Sequence, residues 1–154
     1  MRVLGTLVVM PIIVVLIGIG SAQEKKAVDD DVKKLQGAWS AVSIEWAGGK
    51  NTEEVVKKVK FVFKDDALTI EDGSVPDPKE KGKRFGVKSF KIDPSKTPKE
   101  IDLILADGDK RLGIYELKGD NLKMCWGIER TRPTKLAVDP TRKDVTVFVL
   151  KRQK

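Results

Sequence analysis

The residue types that most often carry out catalysis or bind metals are scarce in this sequence. It contains no histidine, and its single cysteine is Cys125. Without histidine, the common His-dependent nucleophilic triads are excluded, and few ligands remain for a transition metal. Cys125 lies within an apolar strand pattern over residues 122–126, so we expect a buried, unreactive thiol. The sequence therefore predicts no catalytic residue, no metal site and no cofactor.

Two arginines form the most distinctive polar segment. Arg130 and Arg132 precede Pro133 and Thr134 in a long predicted loop before the last strand. Two guanidinium groups at this spacing are suited to clamp a carboxylate or a phosphate, which makes an anionic ligand one candidate. Alternatively, Arg132 anchors the loop across the end of the domain, because long ordered loops need such anchors.

One pair of carboxylates is a further candidate site. Asp102 and Glu116 lie on neighbouring predicted strands, where two carboxyl groups with different pKa values would serve acid–base chemistry. Since side chains alternate between the two faces of a strand, we favour the interpretation that both point outward into solvent.

The first 22 residues have the order of a secretory signal. Arg2 precedes an apolar run over residues 3–19, and the small residues Gly20, Ser21 and Ala22 follow. We predict cleavage after Ala22, which leaves residues 23–154 as a single exported domain, periplasmic or extracellular, without membrane insertion. The alternative is an uncleaved anchor, but the run is slightly short for a membrane span and Pro11 interrupts it.

The charge distribution argues against nucleic acid as a partner. The chain has 30 Lys and Arg residues against 23 Asp and Glu, a net charge of +7, and the two signs are interleaved along the chain. Interleaved charge is typical of a solvated surface rather than a binding stripe. A single cysteine also excludes an intrachain disulfide. We expect a monomer.

Residue periodicity predicts a mostly β domain with helix at its front. Apolar residues at helical spacing predict a helix over residues 27–35, and Asn51 with Glu54 three residues later predicts the N-cap of a second, short helix. Elsewhere the period is two, and turn residues separate the segments. The predicted strands cover residues 39–46, 59–64, 67–71, 84–92, 101–105, 111–118, 122–126 and 145–152. Eight antiparallel strands in sequence favour an up-and-down barrel, with a β-sandwich as the alternative.

Several segments, in order, resemble a known family. The stretches are Leu35-Gln36-Gly37-Ala38-Trp39, Ile92-Asp93-Pro94-Ser95-Lys96, Leu112-Gly113-Ile114-Tyr115-Glu116-Leu117, Arg132-Pro133-Thr134 and Val149-Leu150-Lys151-Arg152. Together they resemble the lipocalin-like domain of unknown function that is expanded in planctomycete bacteria. The resemblance implies a lipocalin-like barrel in an exported bacterial setting, and it implies no reaction.

A small barrel suggests what the domain does. A barrel of about eight strands is either filled by its own side chains or just wide enough for one small ligand. We therefore expect a non-enzymatic protein that binds a small, partly apolar ligand, with Trp39, Tyr115 and Trp126 as candidate lining residues. The same rings are equally suited to core packing. A structural or protein-interaction module of the cell envelope, with no ligand, is the alternative function.

The resemblance also implies how the barrel closes. In lipocalin-like barrels a tryptophan of the first strand lies at the closed end, covered by a basic residue from the last strand. Trp39 follows Gly37 here, and Arg152 ends the last strand on the same predicted face as Phe148. We therefore predict that Arg152 stacks on Trp39, with Gly37 permitting close approach of the backbone.

Overall fold

The computed structural model describes residues 19–72, 87–127 and 131–154. Most of the predicted signal segment (residues 1–18), the predicted strand start over residues 84–86, and Arg130 lie outside the described residues. The elements, in chain order, are α1 (Ile19–Leu35), β1 (Gly37–Trp46), β2 (Gly49–Lys50), α2 (Glu53–Val56), β3 (Val59–Lys64), β4 (Ala67–Asp72), β5 (Val87–Asp93), β6 (Lys99–Leu105), β7 (Lys110–Lys118), β8 (Asn121–Gly127) and β9 (Val145–Arg152).

The strands form one antiparallel sheet that curls into a nearly closed barrel, as predicted. Eight strands follow the order β4-β3-β1-β9-β8-β7-β6-β5, and the short β2 pairs with β1 outside this path. The first and last long strands therefore lie side by side. The ladder is open between β4 and β5, where the Phe90 N–H donates to the Asp66 carbonyl over 2.9 Å. The sandwich alternative is wrong for this chain.

The barrel interior is packed with large apolar side chains. Alternate residues of each strand point inward, as the period of two predicts. The inward-facing, fully buried set includes Trp39, Phe61, Phe63, Leu68, Ile70, Ile101, Leu103, Tyr115, Leu122, Met124 and Leu150. At such positions the removal of apolar surface from water supplies the main stabilisation of the fold.

A second, smaller cluster lies on the outer face of the sheet. Cys125 is fully buried there together with Ile114, Val145 and Val147, and Leu136 of the long loop packs against them. Cys125 faces outward because Leu122, Met124 and Trp126 occupy the inward positions of β8. The predicted burial of Cys125 is confirmed, and the loop before β9 provides the cover.

Both helix starts differ from the sequence-based expectations. The first helix begins at Ile19 rather than residue 27; its described residues 22–27 are exposed, so no apolar pattern marks them. In α2 the N-cap is Thr52, not Asn51, and no side chain caps the helix. The first helical hydrogen bonds run from the Val55 and Val56 N–H groups to the Thr52 carbonyl, over 3.1 and 3.0 Å, whereas Asn51 is still bonded to the Ile44 carbonyl of β1.

Candidate functional site

The predicted contact between Arg152 and Trp39 is present where α1 meets the barrel. The Arg152 guanidinium carbon lies 4.2 Å from the centroid of the Trp39 ring. The same guanidinium donates to the carbonyl of Gln36 over 2.7 Å and to that of Lys34. The Trp39 indole N–H donates to the Leu35 carbonyl over 2.8 Å. Because the last carbonyls of a helix have no partner within it, these bonds fix the C-terminal end of α1.

Gly37 has a conformational role at this junction. Its φ of +105° is in the region that side-chain-bearing residues rarely adopt, and it connects α1 directly to β1. A Cβ at this position would lie 3.5 Å from Nη1 of Arg152, which is an ordinary contact. Backbone geometry, rather than lack of space, therefore requires glycine here.

Tyr115 reaches from the barrel interior to a buried carboxylate of α1. Its hydroxyl donates to Oδ2 of Asp31 over 2.8 Å, and the Lys99 ammonium lies 2.5 Å from the same oxygen. Asp31 is the one buried charged residue among those described. Burial and the neighbouring Asp31 carboxylate raise the pKa of Tyr115 well above its usual value of 10. Tyr115 therefore stays protonated and donates to Asp31, which holds the helix on the barrel end.

The three rings predicted to line a ligand cavity pack in the core. Trp39 is 0% exposed, Tyr115 is 1% exposed and Trp126 is 5% exposed. Trp126 stacks on Phe148, with ring centroids 4.2 Å apart and planes 17° from parallel. Since Trp39 and Tyr115 are sealed by protein atoms, neither borders open space in this structure.

Arg132 bridges two strands on the outside of the barrel. Its Nη1 donates to the carbonyl of Gly113 over 2.5 Å and to that of Ile101 over 3.4 Å. Its Nη2 lies 2.7 Å from the Asp102 carboxylate and 3.2 Å from that of Glu100. These partners fit the anchoring alternative, because the guanidinium is already neutralised by two carboxylates. The anion clamp that includes Arg130 stays a prediction.

Asp102 and Glu116 do not form a carboxylate pair. Asp102 lies opposite Leu112 in the β6–β7 register, four residues from Glu116 along β7. At about 3.3 Å per residue this places the two roughly 13 Å apart along the strand. Glu116 instead pairs with Lys118 over 2.9 Å. Both acids point outward, as favoured from the sequence.

An apolar groove of about 500 Å³ lies where α1 crosses the open seam of the barrel. The groove is lined by Val28, Val32, Asp65, Asp66, Phe90, Lys91 and Ile92. Val28 and Val32 form the helix wall, and Phe90 and Ile92 of β5 form the opposite wall. Its volume is in the range of protein sites that take small organic ligands.

The groove exists because β5 runs on past the end of its neighbour. Phe90 is the last residue of β5 that bonds across the seam, to Asp66 in the turn before β4. Residues two apart on an antiparallel strand direct their backbone N–H and C=O groups to the same side. The polar backbone groups of Ile92 therefore also point away from β6, toward the groove. The groove therefore combines apolar walls with the backbone hydrogen-bonding edge of β5.

The comparisons with known proteins name no relative. No protein-family model, curated protein or solved structure matches this chain. Membership in the lipocalin-like family therefore stays a prediction. In the described part of the chain, no group of three or more His, Cys, Asp or Glu side chains is placed to hold a metal ion. The helices in that part are all too short or too polar to cross a membrane.

Sequence reasoning missed both the groove and Asp31. Val28, Val32 and Leu35 recur at helical spacing, which predicts the helix, yet only Leu35 is fully buried. Asp31 lies on the same stripe, three residues after Val28 and four before Leu35, so its position was a readable signal of a buried carboxylate. The groove gave no such signal, since it depends on how α1, β5 and the β3–β4 turn come together.

Proposed function

We propose that this protein is an exported, non-enzymatic, lipocalin-like binding protein for a small, partly apolar molecule, and that the groove between α1 and β5 is its binding site. The observation that carries the proposal is the groove itself: about 500 Å³, walled by Val28, Val32, Phe90 and Ile92. Ligand sites are concave, mostly apolar and furnished with a few polar groups, and the groove fits that description.

The groove is a better candidate than the barrel interior beneath it. A ligand at Trp39 or Tyr115 would have to displace rings that are at most 1% exposed. Displacing a packed aromatic ring costs about 3–5 kcal/mol when judged from Phe and Trp truncations, whereas the groove needs no such displacement. Binding outside the packed core therefore leaves the fold intact.

The walls of the groove are held in place before any ligand arrives. On the α1 side, Asp31 is bonded to Tyr115 and Lys99, and Arg152 binds the carbonyls at the end of the helix. On the other side, Gln36 holds the backbone of the β3–β4 turn through Asp65. A preformed site avoids the cost of ordering its walls on binding, which favours affinity.

Export is consistent with how α1 packs. Residues 22–27 are exposed, and Val28 is the first partly buried residue among the helix side chains that the structure describes. Cleavage after Ala22 would therefore remove no described packing contact of the helix. The proposal assigns no reaction, because the chain lacks histidine and Cys125 is buried away from the groove.

A neutral apolar fluorophore tests the proposal. N-phenyl-1-naphthylamine should bind saturably to the protein, with fluorescence enhancement. Val28→Trp should fill the groove and weaken binding at least tenfold, because a large ring would take up space that the probe needs. Val42→Trp is the matched control, since Val42 is 58% exposed on β1 and does not line the groove. Thermal unfolding should show that both variants fold.

The outcomes of this experiment distinguish binding in the groove from the alternatives. Equal binding to the protein and to Val28→Trp would place the probe elsewhere and contradict the groove as the site. Failure of the unsubstituted protein to bind any such probe would contradict the binding function and favour an interaction module of the cell envelope.

A further inference from the structure

We infer that the ligand of the groove carries a positively charged amine at one end of an apolar body, an inference that rests on the binding function proposed above. The apolar walls account for the body of such a ligand. The charge of its head group is indicated by the acidic side chains at the turn between β3 and β4.

Asp65 and Asp66 both line the groove, and both are exposed. Among the described residues, neither carboxylate has a salt-bridge or hydrogen-bond partner. Their backbones are engaged instead: the Asp65 N–H donates to Oε1 of Gln36 over 2.7 Å, and the Asp66 carbonyl accepts from the Phe90 N–H. Two acidic residues therefore belong to the lining of an apolar groove, and no described cation is paired with either carboxylate.

The counter-charge at the groove is smaller. Among the described lining residues, Lys91 is the one cation, and it pairs in register with Asp102 of β6 and has an exposed side chain. The described lining therefore contains two acidic residues and one basic residue, although the whole chain carries +7. Local carboxylates, rather than the overall field of the protein, would select a cation here.

The expected preference is modest because both carboxylates are exposed. Exposed ion pairs are weak and are screened by salt, so two of them should favour an amine over a neutral head group by about three- to tenfold at low ionic strength. At pH 7 a primary alkylamine carries a positive charge, so the attraction to the turn is present.

Three ligands that share one apolar chain test the inference. Octylamine, 1-octanol and octanoate should be titrated into the purified protein by calorimetry at pH 7, at low salt and at high salt. We expect octylamine to bind tightest, 1-octanol next and octanoate weakest, with the octylamine advantage lost at high salt.

Neutralising the turn should remove the preference without closing the groove. Asp65→Asn with Asp66→Asn should lower octylamine affinity to that of 1-octanol and leave 1-octanol binding unchanged; asparagine also tolerates the φ of +55° at position 65. Glu54→Gln, an exposed acid on α2, is the matched control and should change nothing.

The outcomes separate the two proposals. If 1-octanol binds but octylamine binds no better, or if octanoate binds tightest, the inference about the amine is overturned while the binding function stands. If none of the three ligands binds, the proposed function itself fails. An octylamine preference that survives the double substitution would also overturn the role of Asp65 and Asp66.

Discussion

Replacement of Arg152 by alanine tests how the ends of the chain are held together. The substitution removes a cation–π contact worth about 1–2 kcal/mol when partly shielded from water. It also removes two hydrogen bonds from a charged group to helix carbonyls, each worth roughly 1.5–3 kcal/mol when fully shielded. Because 27% of the Arg152 side chain is exposed, water replaces part of these interactions. We therefore expect a loss of about 2–4 kcal/mol in the free energy of unfolding.

A double-mutant cycle in urea, followed by circular dichroism, measures the coupling. Trp39→Ala alone should cost about 3–5 kcal/mol through the cavity it leaves. The combined variant should lose about 1–2 kcal/mol less than the sum of the two single losses. Lys151→Ala is the control, since Lys151 is exposed and should change stability by less than about 0.5 kcal/mol. Losses that simply add, or a negligible effect of Arg152→Ala, would show that Arg152 and Trp39 do not stabilise each other.

Three further predictions concern single groups. Burial raises the pKa of Cys125 to about 11, so a maleimide at pH 8 should label the native protein at least about 100-fold more slowly than the unfolded chain; equal rates would contradict the burial. Tyr115 is the only tyrosine of the chain, so absorbance at 295 nm reports its ionisation alone. The pKa of Tyr115 is higher in the folded protein than in the unfolded chain, so its contribution to stability is complete below about pH 10 and is lost as the pH rises further. Tyrosinate should therefore appear only as the protein unfolds. A reversible titration near pH 10 in the native state would count against the hydrogen bond to Asp31. Exported protein should begin at Gln23, and N-terminal sequencing that returns Met1 would exclude cleavage.

The strands could be predicted from the sequence because each follows from local alternation, whereas the closure contact was implied by the resemblance to lipocalin-like barrels. Alternation places Phe148, Leu150 and Arg152 on one face of β9, which selects Arg152 rather than its neighbour as the residue that contacts Trp39. The same parity on β8 places Cys125 outside and Trp126 inside. The alternation of side chains along the sequence matches the folded structure because each strand buries one of its two faces.

Neither the groove nor the start of α1 could be predicted from the sequence, and the two reasons are opposite. The side chains of residues 22–27 are exposed, so no apolar pattern shows that they are helical. Val28 and Val32 do recur at helical spacing, but β4 begins only at Ala67 and does not extend beside the end of β5, so the two valines line a groove there. Such a gap depends on the relative lengths of strands that lie far apart in sequence, which local periodicity does not encode.

Ligand-induced changes in amide chemical shifts show directly whether an apolar molecule binds in the groove. The isotope-labelled protein should be titrated with 1-octanol, which carries no charge and so reports on the apolar walls alone. We expect the largest shifts at residues 28–32 of α1, at the turn of residues 65–66 and at residues 90–92 of β5. Shifts centred on Trp126 and Phe148 inside the barrel, or no saturable shifts at all, would contradict it.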